Sequence, residues 1–145
     1  MGDFANAKGK YESRFIEAGG IKTHYIAAGS GKPLILIHGG GAGADCLGNW
    51  FRCIPQYAQN FHVIAVDLVG FGKTAKPDPS QFAYTQDARN DHIIAFIQAL
   101  GLNGVNLIGN SMGGATSMGV AIKRPELVNK VVLMGSAGLN TKMRE

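Results

Sequence analysis

Short apolar runs, separated by polar and glycine-rich segments, recur along this chain and predict alternating strands and helices. Four of the runs are continuously apolar, as expected for strands that are buried on both faces of a sheet. These four predicted strands span residues 33–38, 63–67, 105–108 and 130–134. Because such strands need helices on either side, the pattern indicates an α/β fold with a mostly parallel, doubly covered sheet.

Helical spacing fills the segments between these strands. Thr85 opens a predicted helix that carries apolar residues on one face and ends at Gly101, and a further helix is predicted over 112–123. Residues 49–59 also have helical spacing, although Pro55 is expected to kink or break that helix. Strands and helices that alternate in this way form βαβ units.

The N-terminal residues are predicted to add an antiparallel hairpin at one edge of the sheet. Its strands span 13–18 and 22–27 and meet at a Gly19-Gly20 turn. Residues 1–10 are polar and are predicted to form a flexible segment, which leaves 11–145 as part of one domain. The first residues also lack the apolar core of a secretory signal.

Composition and charge argue against several classes of protein and of binding partner. Of the 145 residues, 46% are hydrophobic and 17% charged, which excludes an intrinsically disordered chain. No apolar run approaches the ~18 residues of a membrane span, so no membrane partner is predicted. The 14 Lys and Arg and 10 Asp and Glu give a net charge of +4 without a basic stripe, so no nucleic-acid partner is expected. Cys46 and Cys53 suit neither a disulfide framework nor a metal site, and as reduced thiols they favour a cytoplasmic location.

The segment Gly109-Asn110-Ser111-Met112-Gly113 follows one predicted buried strand and begins the next helix. This is the G-x-S-x-G pattern of a nucleophile elbow in the strand-to-helix context that supports it. The sharp turn exposes the serine hydroxyl above the sheet, and glycines on either side avoid collisions with neighbouring backbone. The sequence therefore predicts Ser111 as a catalytic nucleophile, with the backbone N–H of Met112 as one oxyanion donor.

A second glycine-rich loop, residues 38–43, follows the first buried strand. Acyl transfer needs a second N–H donor aimed at the oxyanion, and Gly40 is the predicted source, with Gly41 as the alternative. His38 is interpreted as a structural hydrogen-bonding residue, since it precedes the serine along the chain.

Two of the glycine-rich segments can also be compared with phosphate-binding loops, but these interpretations are weaker than the acyl-transfer interpretation. A strict dinucleotide loop needs a third glycine at position 44, which is Ala44, although the relaxed G-x-G-x-x-A form fits. A P-loop ending at Gly72-Lys73-Thr74 needs glycine at position 67, which is Asp67. The phosphate-loop interpretation therefore fails, and cofactor binding stays a minor alternative.

Three glycine-rich strings together resemble the α/β-hydrolase family. They are His38-Gly39-Gly40-Gly41, the turn at 67–72, and Gly109-Asn110-Ser111-Met112-Gly113-Gly114. The longer strings 38–44, with Asn49-Trp50, and 109–115 resemble the meta-cleavage-product hydrolases, which are serine-dependent C–C hydrolases of aromatic degradation. The strings 71–77 and 134–139 carry a narrower resemblance within that family. The carbazole- and biphenyl-pathway members are the most similar, and the resemblance extends from about Tyr11 onward.

The resemblance implies a reaction and a set of roles. The substrate would be a 2-hydroxy-6-oxo-6-arylhexa-2,4-dienoate, cleaved to an aryl carboxylate and 2-hydroxypenta-2,4-dienoate without cofactor or metal. Ser111 would attack, with Gly40 and Met112 holding the oxyanion. Residues binding the dienoate end would be Gly41, Asn49 and Asn110. It leaves the aryl group open, and also whether the protein is a homo-oligomer.

A complete catalytic triad cannot be assembled in the usual order. In this fold the acid and the histidine follow the serine, but all four histidines precede Ser111, and only Glu126 and Glu145 are acidic residues beyond it. Family members are about twice as long, so the chain is expected to be an N-terminal part that lacks the lid and C-terminal strands. A carboxylesterase on the same fold and a catalytically incomplete binding protein are the alternatives.

Overall fold

The computed structural model describes residues 11–140, and the predicted flexible segment 1–10 lies outside them. The described residues form six strands, four α-helices and one short 3₁₀ helix. In chain order these are β1 Glu12–Ala18, β2 Ile21–Ala28, β3 Lys32–Ile37, α1 Cys46–Trp50, α2 Ile54–Tyr57, β4 Phe61–Val66, α3 Gln86–Ala99, β5 Val105–Asn110, α4 Met112–Lys123, the 3₁₀ helix Pro125–Leu127 and β6 Val128–Met134.

The strands form one mixed sheet in the order β1-β2-β4-β3-β5-β6. The pairs β3–β4, β3–β5 and β5–β6 are parallel. The hairpin of β1 and β2 is antiparallel and lies at one edge, where β2 pairs antiparallel with β4. This confirms the predicted α/β fold, and it brings the C-terminal ends of β3 and β5 side by side.

Alternate residues of the central strands pack on opposite faces of the sheet. On β3, Ile35 and Ile37 join the cluster that includes residues of α3 and α4, whereas Leu34 and Leu36 join the cluster with α1 and α2. Both clusters are buried, which explains why the strand is continuously apolar in sequence.

The helices α3 and α4 were predicted closely. Thr85 caps α3, its hydroxyl accepting a hydrogen bond from the Ala88 N–H at 3.2 Å, and Gly101 follows the helix with a φ of +68°. Positive φ carries little strain for glycine, which makes it a common residue after a helix. No helix within the described range 11–140 has the length and apolar character needed to cross a membrane.

The predicted helix at 49–59 is in fact two short helices, α1 and α2. Helix α1 begins earlier than predicted because the Asp45 carboxylate caps it, accepting a hydrogen bond from the Gly48 N–H at 2.6 Å. Pro55 lies in the first turn of α2, where proline is tolerated, rather than at a kink.

The strand predicted at 130–134 is present as β6, but within the described residues it is not buried. Strand β6 begins at Val128 and lies at the edge of the sheet, where Val132 is 51% and Met134 43% exposed. Val131 packs toward the α3 and α4 side, but no element within residues 11–140 covers the opposite face of this strand.

Candidate active site

Ser111 occupies a strained turn between β5 and α4. Its φ of 54° and ψ of −115° make it the only non-glycine residue with positive φ in the described part of the chain. Two flanking glycines make the turn sterically feasible. A Cβ on Gly113 would collide with the carbonyls of Ile37 and His38, and one on Gly109 would meet the Gly113 carbonyl. Backbone strain of this kind is typical of functional positions.

Hydrogen bonds from β6 and the loop after it hold the Ser111 backbone in place. The Ser111 N–H donates to the Met134 carbonyl at 2.9 Å, and the Ala137 N–H donates to the Ser111 carbonyl at 3.0 Å. The Gly114 N–H, in the first turn of α4, also donates to that carbonyl at 3.0 Å. The edge strand therefore supports the strained turn, a role that the sequence pattern did not indicate.

Gly40 and Met112, the two residues predicted to supply oxyanion donors, lie next to one another. A Cβ on Gly40 would be 3.3 Å from the Met112 Sδ. Within residues 11–140 neither backbone N–H donates a hydrogen bond to another protein group. The Met112 N–H is the first of α4, so it has no acceptor inside the helix. Both donors are therefore available to a bound group.

A cavity of about 380 Å³ opens beside the elbow. Its wall includes Gly40 and Gly41 from the glycine loop, Ser111, and the two predicted substrate-binding residues Asn49 and Asn110. The structure therefore brings five of the six predicted site residues to one cavity. The sixth, Met112, adjoins it through Gly40.

Asn49 and Asn110 are hydrogen-bonded to each other. The Asn110 Nδ2 donates to the Asn49 Oδ1 at 3.0 Å, and the Gly39 N–H donates to the same oxygen at 3.1 Å. The Asn49 carbonyl oxygen is thus used by the protein, and its amide N–H groups remain for a ligand. Through its bond with the Gly39 N–H, Asn49 also fixes the start of the glycine loop.

His38 is a structural residue, as its sequence position suggested. Its Nε2 accepts the Leu68 N–H at 3.0 Å, so its Nδ1 carries the proton that is donated to the Gly39 carbonyl at 2.7 Å. Burial lowers the pKa of His38 and favours this neutral form. Its two bonds tie the glycine loop to the segment after β4.

Asp67 is a buried carboxylate that anchors three parts of the chain. Its Oδ1 accepts the Cys46 N–H at 2.8 Å, and its Oδ2 accepts the Lys73 N–H at 2.9 Å and the His24 Nδ1–H at 2.7 Å. Burial by itself raises the pKa of Asp67, but these hydrogen bonds outweigh it and lower the pKa to about 2. Asp67 is therefore ionised, and it fixes the start of α1, the helix that carries Asn49.

His24, Cys46 and Asp67 also place potential metal-ligand atoms within 4.8 Å of one another. Both carboxylate oxygens are already occupied by N–H donors. Burial, and then the charge of Asp67, raise the pKa of Cys46, which keeps its thiol protonated. These contacts favour a hydrogen-bonded network over a metal centre. A signal in the sequence existed for it, since His24 and Asp67 are polar residues within or directly after apolar strands.

Comparison with known families agrees with this geometry. A model of the family described as alpha/beta hydrolase fold matches residues 32–145. The chain belongs to the α/β-hydrolase family. Its mixed sheet, glycine loop and serine elbow are the corresponding parts of that fold.

This α/β-hydrolase chain is similar to two curated bacterial hydrolases. It is 55% identical over 136 residues to the 2-hydroxy-6-oxo-6-(2'-aminophenyl)hexa-2,4-dienoic acid hydrolase of Metapseudomonas resinovorans, covering 93% of this chain and 46% of that protein. It is 40% identical over 132 residues to the 2-hydroxymuconate semialdehyde hydrolase of Pseudomonas sp. strain CF600, covering 91% and 46% of the two chains.

The chain is also similar to a protein whose crystal structure has been solved. The crystal structure of a serine hydrolase involved in carbazole degradation, the CarC enzyme, superposes with a TM-score of 0.87 at 54% identity. The match covers 92% of this chain and 51% of that one. The chain therefore spans about half the length of the relatives it matches.

Proposed function

We propose that the whole protein is a serine-dependent hydrolase that cleaves a C–C bond of 2-hydroxy-6-oxo-6-arylhexa-2,4-dienoates. The products would be an aryl carboxylate and 2-hydroxypenta-2,4-dienoate. The similarity to hydrolases named for such dienoates supports this substrate class. The observation that carries the proposal is the Asn49–Asn110 pair, which shares a cavity with Ser111.

Ser111 is the proposed nucleophile. After the dienol ketonises, the Ser111 Oγ attacks the 6-oxo carbonyl carbon and the carbonyl oxygen becomes an oxyanion. The N–H groups of Gly40 and Met112 are proposed to stabilise that oxyanion, because the two residues lie close together and neither N–H donates to another protein group within residues 11–140. Such a preorganised donor contributes about 10²- to 10³-fold to the rate in serine hydrolases.

The asparagine pair favours a C–C substrate over a simple ester. An ester hydrolase needs only the nucleophile and its two N–H donors at this edge of the sheet. A dienoate also carries an oxygen-rich end that must be oriented, and the amide groups of Asn49 and Asn110 offer N–H donors on the same wall. We propose that Gly41, Asn49 and Asn110 bind this end.

The general base is proposed to lie in the part of the relatives' length that this chain does not span. His38 is fully hydrogen-bonded in a structural role, and the His24 and His92 rings contact Asp67 and Thr23 instead of Ser111. Within residues 11–140 the Ser111 Oγ accepts or donates no hydrogen bond. A histidine supplied by the rest of the protein would activate the serine.

The test is product analysis with the whole protein and the dienoate that carries a 2'-aminophenyl group. The expected result is loss of the coloured dienolate with one equivalent each of 2-aminobenzoate and 2-hydroxypenta-2,4-dienoate. Hydrolysis of 4-nitrophenyl esters without any cleavage of the dienoate would replace this proposal with the carboxylesterase alternative. Failure on both substrates in a folded protein would favour a binding role.

A further inference from the structure

A second serine, far from Ser111 along the chain, is linked to a histidine and an aspartate. The Ser13 Oγ lies 2.6 Å from the His24 Nε2, and the His24 Nδ1 lies 2.7 Å from the Asp67 Oδ2. Ser13 is on β1, His24 on β2, and Asp67 directly follows β4. The sheet order β1-β2-β4 brings these three residues into line.

The two hydrogen-bond partners of His24 determine which ring nitrogen carries the proton when the ring is neutral. The pKa of Asp67 is lowered to about 2, so its carboxylate only accepts hydrogen bonds. In a neutral His24 ring this places the proton on Nδ1, facing Asp67, and leaves a lone pair on Nε2. That lone pair accepts the Ser13 O–H, which is the arrangement in which a histidine acts as the base for a serine.

Ser13 is accessible, although the groups behind it are buried. Ser13 is exposed on the edge strand β1, whereas His24 is only 2% exposed. Phe15, on the same face of the strand, is 48% exposed, and its ring centroid lies 5.0 Å from that of His24. The Lys22 ammonium lies 4.8 Å from the Phe15 centroid. An aromatic reagent therefore has an exposed ring to stack on beside the Ser13 hydroxyl.

We propose that Ser13 is a second nucleophilic serine, acylated by activated aryl esters with His24 as its base. The Ser13 Oγ forms a bond to the acyl carbon, and the bond from that carbon to the aryl oxygen breaks. The proton of the Ser13 hydroxyl passes to the His24 Nε2 and then to the departing aryl oxide, which leaves as a phenol. The step needs no oxidant, reductant or metal, and it ends at the acyl-serine rather than at turnover.

General-base assistance of this kind contributes about 10²- to 10⁴-fold to a proton-transfer step. Ser30 provides an internal standard, because it is exposed in the turn between β2 and β3 and contacts no histidine among the described residues. Acylation of Ser13 is therefore expected to exceed that of Ser30 by about 10²-fold or more. This inference concerns a site separate from the cavity at Ser111, and it does not rest on the proposed function.

The experiment treats the whole protein, in a Ser111→Ala background, with 4-nitrophenyl acetate and quantifies each acetylated peptide by mass spectrometry over time. Removing Ser111 eliminates the other candidate nucleophile. Hydroxylamine treatment distinguishes acetyl esters on serine, which it removes, from acetyl amides on lysine. Added Ser13→Ala and His24→Gln substitutions, with circular dichroism to check folding, complete the set.

The proposal predicts rapid ester formation on Ser13, slow formation on Ser30, and loss of the Ser13 signal in both added variants with an unchanged Ser30 rate. Equal rates at Ser13 and Ser30 in the Ser111→Ala protein would overturn it, and this comparison holds even when His24→Gln does not fold. Rapid acetylation of Ser13 that persists in a folded His24→Gln protein would equally overturn it, because the base would then have no role.

Discussion

Ser111 and Ser13 differ in what surrounds each hydroxyl. Ser111 lies in a strained turn, with φ of 54°, beside two free N–H groups and a cavity, but its hydroxyl contacts no histidine within residues 11–140. Ser13 lies on a regular strand and is hydrogen-bonded to a histidine that an ionised aspartate orients. One serine lies beside the N–H groups proposed to hold an oxyanion, and the other is hydrogen-bonded to its proposed base.

The difference separates two requirements of serine chemistry. Oxyanion stabilisation comes from backbone geometry that a short sequence segment specifies, whereas a base is brought to the serine by the tertiary fold. Catalytic turnover requires both at one atom. The comparison therefore predicts that Ser111 supports turnover only together with the rest of the protein, and that Ser13 supports acylation alone.

The largest expected effect on dienoate turnover comes from removing the Ser111 hydroxyl in the whole protein, and removal of the Ser13 hydroxyl is the comparison. Ser111→Ala should reduce kcat for the dienoate by about 10⁴- to 10⁶-fold, because a nucleophile acts as a unit with its base. Substrate binding, measured from the dienoate spectrum, should be nearly unchanged. Ser13→Ala is the matched control and should leave dienoate turnover as it is. Turnover by Ser111→Ala within about tenfold of the unmodified protein would refute its assignment.

The elbow geometry can be broken without touching a hydroxyl. Gly113→Ala should lower the free energy of unfolding by about 3 kcal/mol, because the new Cβ collides with the carbonyls of Ile37 and His38 rather than with a flexible side chain. Chemical denaturation of the whole protein measures this change. Gly40→Ala is the comparison, since its Cβ would meet only the movable Met112 side chain at 3.3 Å. Equal stabilities of the two variants would contradict the steric account.

The asparagine pair separates substrate binding from support of the elbow. Asn110→Ala should slow cleavage of the dienoate by about 10²-fold, the loss that misplacing a substrate can cause, and should affect steady-state hydrolysis of an aryl ester far less. Asn49→Ala should slow both substrates, because Asn49 also accepts the Gly39 N–H and so positions the glycine loop. Equal losses on the two substrates for Asn110→Ala would assign Asn110 to support of the elbow and favour the esterase alternative.

The Asp67 network should appear in the pH dependence of stability. The pKa of Asp67 is about 2 in the folded chain, below its usual value near 3.9, so its contribution is complete above about pH 4 and is lost as the pH falls toward 2. The size of that contribution is about 2 kcal/mol. The unfolding free energy should therefore fall more steeply over this range than in Asp67→Asn. Parallel pH profiles for the two proteins would show that Asp67 gains no stabilisation from folding.

The strands and the elbow were predictable because local sequence determines them. Leu34 to Ile37 are apolar at every position since the sheet is covered on both faces, and Gly109 and Gly113 mark the places where two backbones meet. The start of α1 was missed because it depends on an Asp45 cap outside the apolar pattern. Local patterns thus identified the turn that carries Ser111.

Contacts between distant segments were not predictable in the same way. Strand β6 was predicted to be buried from its apolar run, but within residues 11–140 it pairs on one side only. Asp67 was assigned no role in the predicted site, although it links Cys46, Lys73 and His24. The Asn49–Asn110 bond joins residues 61 positions apart. Such partners become evident only once the strand order is known.

The central claim, that the elbow and the glycine loop form one site for the dienoate, has a direct structural test. The measurement is a crystal structure of the whole protein with Ser111→Ala and the 2'-aminophenyl dienoate bound. The account predicts the 6-oxo oxygen facing the N–H groups of Gly40 and Met112 within hydrogen-bonding reach, with the dienoate end against Asn49 and Asn110. A dienoate bound with its 6-oxo oxygen away from both N–H groups would contradict it.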